Sequence, residues 1–76
     1  MGEEIREIQI RKIHPNLRIV YTSECIEEIE RDIKSRGQQE PIYISFEYAS
    51  FRIIDGEKRW RACKRLGMNS IRAVIA

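Results

Sequence analysis

The stretch FRIIDGEKRWRACKRLG, residues 51–67, changes its pattern at a single glycine. Phe51-Arg52-Ile53-Ile54 is a short apolar run with the character of a strand, and Asp55-Gly56 ends it. A helix is predicted from about Glu57 to Leu66, with Gly67 supplying the left-handed stop. On a wheel of about 100° per residue, Ala62, Cys63 and Leu66 make a core face. Arg59 falls in that same arc, one turn nearer the helix start, while Trp60 and Lys64 flank its edge. Lys58, Arg61 and Arg65 lie opposite and are expected to form a solvated cationic face.

The elements on either side complete the picture. Pro41 opens a strand with Ile42, Ile44 and Phe46 on one face and Tyr43 and Ser45 on the other. A short turn around Glu47 to Ser50 joins it to the 51–54 strand, leaving Tyr43 and Tyr48 exposed or half-buried. Further upstream, Thr22-Ser23-Glu24 opens a helix: either hydroxyl can cap it, and Glu24, Glu27 and Glu28 suit its positive end. Ile26, Ile29 and Ile33 form its core stripe, Lys34 and Arg36 its last turn, and Gly37 its stop. Ile8-Gln9-Ile10 reads as a first strand, with Ile13 adding to its apolar contacts. His14-Pro15-Asn16 breaks the chain, His14 being a loop residue, and Leu17 to Val20 can run extended. Ile71 to Ile75 alternates and closes the order β, α, β, β, α, β. That order predicts a small α/β (α+β) domain over residues 1–76, with two main helices on a mixed β-sheet.

Composition narrows the function classes. A chain of 76 residues makes one domain at most, with a modest core and marginal stability unless a partner helps. Its 42% apolar and 34% charged residues argue against disorder. No apolar run reaches the roughly 18 residues of a membrane span, and the acidic MGEEIREIQI start has no leader character. Arg6 stands where a myristoylation signal needs Ser or Thr, so a cytoplasmic protein without membrane contact is expected. Cys25 and Cys63 sit on apolar stripes and read as reduced, buried thiols; one histidine and two separated cysteines are too few for structural zinc. Residues 56–76 carry six Lys or Arg against Glu57, a net of +5, whereas residues 1–55 carry eight against eleven acids, a net of −3. That asymmetry suits a phosphate-bearing partner, though a solvated helix face gives the same pattern.

The helix start is where chemistry concentrates. Its first amides lack helical partners and its dipole favours an anion. Gly56 lets a phosphate approach the backbone, and Arg59 offers a forked donor. An inward guanidinium is costly unless something satisfies it. An anion does so, and so does a purely structural pairing with Glu57, Asp55 or a carboxylate of the other helix. Trp60 reads either as a base-stacking surface or as packing against the sheet.

Gly56-Glu57-Lys58-Arg59-Trp60-Arg61-Ala62 resembles the G-E-R-R-x-R-A box of the ParB N-terminal domain, within the ParB/sulfiredoxin-like superfamily; Lys58 replaces one arginine. The resemblance extends over Arg18, Asp32 to Gly37, Gln39-Glu40-Pro41-Ile42, Ile53 to Gly56 and the closing strand. It implies a phosphate- and nucleotide-binding site at Gly56, Glu57, Lys58, Arg59 and Arg61, with Arg18, Gln38 and Gln39 in the same cleft. The ligand implied is CTP or another nucleotide with Mg2+. The role implied is chromosome or plasmid partition or transcription regulation, with DNA contacted through a segment absent from this chain or through a partner protein; a homodimer is compatible with it.

Two other branches leave different expectations. Sulfiredoxins place a cysteine directly after the glycine, where this chain has Glu57, so that activity is not expected. The free serine kinases show D-G-H-H-R, of which Asp55, Gly56 and Arg59 remain. A phosphotransferase or nuclease would use Asp55 or Glu57 as catalytic groups, with Glu57 also available to a metal. An isolated enzyme is the less favoured expectation, and a protein-interaction domain with a structural box is the third.

Overall fold

In the computed structural model, which describes residues 4–15 and 23–76, five strands and two helices follow in the order β1 (Ile5–Gln9), β2 (Ile13–His14), α1 (Ser23–Arg36), β3 (Ile42–Glu47), β4 (Ser50–Asp55), α2 (Glu57–Arg65) and β5 (Ser70–Ile75). The strands form one mixed sheet in the order β1-β5-β3-β4-β2. β1 runs antiparallel to β5, from Ile5 opposite Val74 to Gln9 opposite Ser70. β5 lies parallel to β3, with Ile42 opposite Ala73, and β3 and β4 form an antiparallel hairpin. The expected α+β architecture is therefore present.

Alternation along these strands places the core. Ile42, Ile44, Ile71 and Ala73 are fully or almost fully buried on one sheet face. Ile26 and Ile33 of α1 and Trp60, Ala62 and Cys63 of α2 cover them, with Ile29 and Leu66 partly buried at the margin. On the opposite face Val74 is buried beside its register partners Ile5 and Tyr43, while Ile5 and Ile54 are exposed. Tyr48 is exposed and Tyr43 half-buried, as expected from the hairpin.

Both helices stop at left-handed glycines. Gly37 N–H donates to Ile33 O at 2.7 Å and Gly67 N–H to Lys64 O at 3.1 Å, each glycine at φ 78°. The β3–β4 turn uses no glycine: Tyr48 (φ 50°) and Ala49 (φ 61°) both adopt the left-handed region, the requirement of a two-residue type I′ hairpin.

Several expectations change at the chain's margins. The first strand is Ile5–Gln9, not Ile8 to Ile10: β5 begins at Ser70, opposite Gln9, so the ladder has no partner for Ile10. Ile10 instead enters a 3-10 turn over Ile10–Lys12, turns into the core, and ties its N–H to Asn69 O at 2.9 Å. His14 is exposed but belongs to the two-residue β2, opposite Arg52 of β4, rather than to a loop. Cys25 is exposed, not buried. One residue from Ile26, it lies about 100° off the α1 stripe and points past the core. The expectations on Leu17 to Val20, Thr22 and Arg18 lie outside the described residues.

Candidate functional site

The start of α2 is fixed by sterics. Gly56 caps it at φ 103°, ψ 23°, with no side-chain cap, and its carbonyl accepts from Trp60 N–H at 3.0 Å. A Cβ on Gly56 would stand 2.6 Å from Ile42 Cγ2 and 2.8 Å from Ile42 Cβ. The glycine is thus required twice, by its conformation and by the close approach of β3. It brings the helix start against the central sheet.

Arg59 points inward from the first turn, and the partners it finds lie elsewhere than Glu57, Asp55 or α1. Its Nη1 donates to Pro41 O at 3.2 Å and its Nη2 to Glu40 Oε2 at 2.9 Å, both in the segment between α1 and β3. The Arg59 side chain is 32% exposed and that of Glu40 is 73% exposed. Arg59, Gln38, Gln39 and Glu40 line a groove of about 380 Å³ with Glu28, Asp32 and Arg36 of α1. Arg36 is itself held by Asp32, Nε to Oδ1 at 2.7 Å.

The two glutamines expected in the cleft do reach this groove, but their polar groups serve the fold. Gln38 is buried; its Nε2 donates to Glu40 O at 2.8 Å and Arg72 O at 2.9 Å, while its Oε1 accepts from Arg72 N–H at 2.8 Å. Gln39 Nε2 donates to Arg36 O at 2.6 Å, satisfying a terminal carbonyl of α1. Neither role has a periodic signature, so neither was visible in the sequence.

The other flank of α2 departs from the wheel. Glu57 is buried at 4% exposure, and Arg61 folds back so that its Nε stands 3.3 Å from Glu57 Oε2. Arg65 reaches across to α1, Nε to Glu30 Oε1 at 2.7 Å. Arg61, half-buried, and Arg65, exposed, are therefore ion-pair partners rather than a freely solvated face; long aliphatic stems carry their charges to neighbouring carboxylates. Arg61, Lys64, Arg65 and Trp60 line a second groove of about 270 Å³ with Ser23 and Ile26. Trp60 is buried in the core, with Lys64 Nζ 5.0 Å from its ring centroid, which favours packing over base stacking. The G-E-K-R-W-R-A residues thus divide, Arg59 facing one groove and Arg61 the other. Lys58 and Asp55 are exposed.

Among the described residues no group of three or more His, Cys, Asp or Glu side chains is placed to hold a metal ion. Burial pushes the Cys63 thiol above its ordinary pKa, which keeps it protonated and inert. No helix of the described residues is long and apolar enough to cross a membrane.

Comparison with known proteins places this geometry in a family. The ParB N-terminal domain model matches residues 1–76. A nucleoid occlusion protein of Geobacillus sp. (strain WCH70) is 42% identical over 77 residues, covering 96% of this chain and 27% of the relative. One from Halalkalibacterium halodurans is 36% identical with the same coverage. The chain spans about a quarter of the length of the curated relatives it matches. Among solved structures, the C-terminally truncated chromosome-partitioning protein ParB from Caulobacter crescentus, complexed with CTP-γ-S, superposes with a TM-score of 0.86 at 25% identity, over 96% of this chain and 44% of that one. Sulfiredoxin from Arabidopsis thaliana gives 0.87 at 25% identity, over 96% and 84%. A free serine kinase in complex with AMP gives 0.87 at 19% identity, over 100% and 32%, a likeness of fold alone. With a left-handed glycine opening α2, Arg59 turned inward and a family match over its whole length, the chain belongs to the ParB N-terminal domain family.

Proposed function

We propose that this chain is a nucleotide-binding module of a protein serving DNA partition or nucleoid occlusion, holding the triphosphate of a CTP-type nucleotide at the start of α2. The observation that carries the reading is Arg59: a half-buried guanidinium in the first turn of a glycine-opened helix, lining a groove and, among the described residues, held by a carbonyl and an exposed carboxylate. The positive end of the helix dipole favours phosphate there, and Lys58 adds an exposed cation. Gly56, through its left-handed conformation and the close approach of Ile42, fixes where that helix start sits. Arg61 is the cation on the opposite flank, and Arg18 is assigned to the same site by the family resemblance. The nucleoid occlusion relatives and the CTP-γ-S-bound ParB support the class of ligand and the role.

Mg2+ would accompany the nucleotide: this ion is commonly held by substrate phosphates with one or two carboxylates, and needs no all-protein cage. Glu57 is the carboxylate nearest the proposed phosphates in sequence, but its burial against Arg61 makes it an anchor of the helix start rather than a metal ligand. DNA contact and any role in transcription regulation are assigned to a segment outside this chain or to a partner protein; the ParB complexed to its centromeric parS site supports DNA as the eventual target.

Calorimetric titration with CTP, UTP, ATP and GTP, with and without Mg2+, tests the proposal on wild type and Arg59→Ala. One triphosphate is expected to bind, and loss of a charge-assisted bond should weaken it about tenfold or more. Absence of binding by every nucleotide, or undiminished affinity in a folded Arg59→Ala protein, overturns it.

A further inference from the structure

The groove beside Arg59 contains its own competitor. Nη1 of Arg59 is tied to a main-chain carbonyl, that of Pro41, which side-chain motion cannot remove. Nη2 is tied to the Glu40 carboxylate at 2.9 Å, and Glu40 is 73% exposed where Arg59 is 32% exposed. One partner of this ion pair can therefore leave for water at little cost, and the other cannot. The main chain of Glu40 is held in place, because its carbonyl accepts from the buried Gln38 amide, which is clasped to Arg72 of β5. Displacing the carboxylate needs only a side-chain rotation.

A carboxylate and a phosphate oxygen present the same chemistry to a guanidinium: anionic acceptors in hydrogen-bond reach. We infer that Glu40 is an intramolecular stand-in for the ligand phosphate, an affinity-setting residue that occupies Nη2 of Arg59 until an oligophosphate displaces it. This rests on the reading of Arg59 as a phosphate contact. Glu40 keeps the half-buried guanidinium neutralised and correctly aimed in the empty protein, and it lowers affinity by the strength of the contact given up. For a pair this exposed the strength is small, so the expected effect is about two- to fivefold. Its selectivity follows too: a ligand with one accessible oxygen barely outcompetes Glu40, whereas a chain of phosphates that also engages the α2 amides and Lys58 does so readily.

The test measures binding of inorganic tripolyphosphate, and of the nucleotide that wild type prefers, to wild type, Glu40→Gln and Glu28→Gln. Glu28 is exposed, lines the same groove and carries the same charge, so its variant reports the general electrostatic gain. Glu40→Gln is expected to bind tripolyphosphate about two- to fivefold more tightly than wild type, with Glu28→Gln close to wild type. Equal affinities for wild type and Glu40→Gln, or equal gains in both variants, overturn the stand-in role while leaving the phosphate site intact. Binding by Glu40→Gln but not by wild type supports the stand-in and refutes nucleotide binding by the natural chain. No binding by any of the three overturns both.

Discussion

The side-chain amide of Gln38 satisfies both main-chain groups of Arg72, Nε2 giving to its carbonyl at 2.9 Å and Oε1 taking from its N–H at 2.8 Å. A residue in a ladder presents N–H and C=O to the same side, so a primary amide can replace a neighbouring strand residue. Gln38 does this just before β3 begins at Ile42, and so extends the β3–β5 pairing by one step.

Gln38→Ala should therefore cost much more than its neighbour. It orphans the Arg72 groups and the Glu40 carbonyl, and an unsatisfied buried group costs about 1–3 kcal/mol. We expect about 2–4 kcal/mol lost in urea unfolding for Gln38→Ala, against under about 1 kcal/mol for the exposed Gln39→Ala. Equal, small losses for both would refute the strand-extension role.

The three left-handed glycines should rank by what surrounds them. An alanine at Gly37 or Gly67 meets nothing within 4 Å and suffers only the left-handed conformation, about 1–2 kcal/mol. At Gly56 the same methyl also meets Ile42 at 2.6 Å, so Gly56→Ala should lose roughly a further 1–3 kcal/mol. Thermal unfolding of the three variants checks the order, and a Gly56→Ala protein as stable as Gly67→Ala contradicts it.

The hairpin turn can be improved. Ala49 holds φ 61° without a glycine, and Ala49→Gly removes that cost while adding backbone entropy to the unfolded chain. A net gain of about 0.5–1 kcal/mol is expected. A destabilised Ala49→Gly would mean that the turn is not left-handed at this residue.

The two thiols should differ in kind. Cys25 is exposed and should label with a maleimide in the native protein at neutral pH; Cys63 should label only after unfolding. Because burial raises the Cys63 pKa, the folded state keeps a proton that the unfolded state releases. The stability this group contributes is thus complete below the unfolded thiol's pKa and is lost as pH rises through the folded value. Cys63→Ala should flatten the alkaline end of a stability–pH curve. If native protein consumes two equivalents of maleimide at equal rates, Cys63 is not buried.

What could be read from the sequence was local. The α1 stripe, the hairpin alternation and the glycine stops rest on residues a few positions apart, where periodicity carries the information. Ile10 failed that test because its strand ends where the partner strand ends, some sixty residues later. The inward direction of Arg59 was legible; its partners, Glu40 and Pro41, were not, since a wheel gives a direction and not what lies along it. Arg61 and Arg65 went astray for a related reason: a wheel places Cβ, while an arginine head travels far enough to meet Glu57 or Glu30. Gly56 was expected to admit a ligand, and the space its missing side chain leaves is taken by Ile42.

The sheet order has a kinetic meaning. β1 meets only β5 among the described strands, and β5 fills the gap between β1 and β3. On a ribosome, β1 would emerge well before β5 and wait for some sixty further residues before finding its ladder, while β3 kept an open edge. Such long-range closure makes for slower folding than in a helical bundle of equal length. Amide protection in β1 should appear together with that in β5, and a nascent chain arrested before Ser70 should show neither.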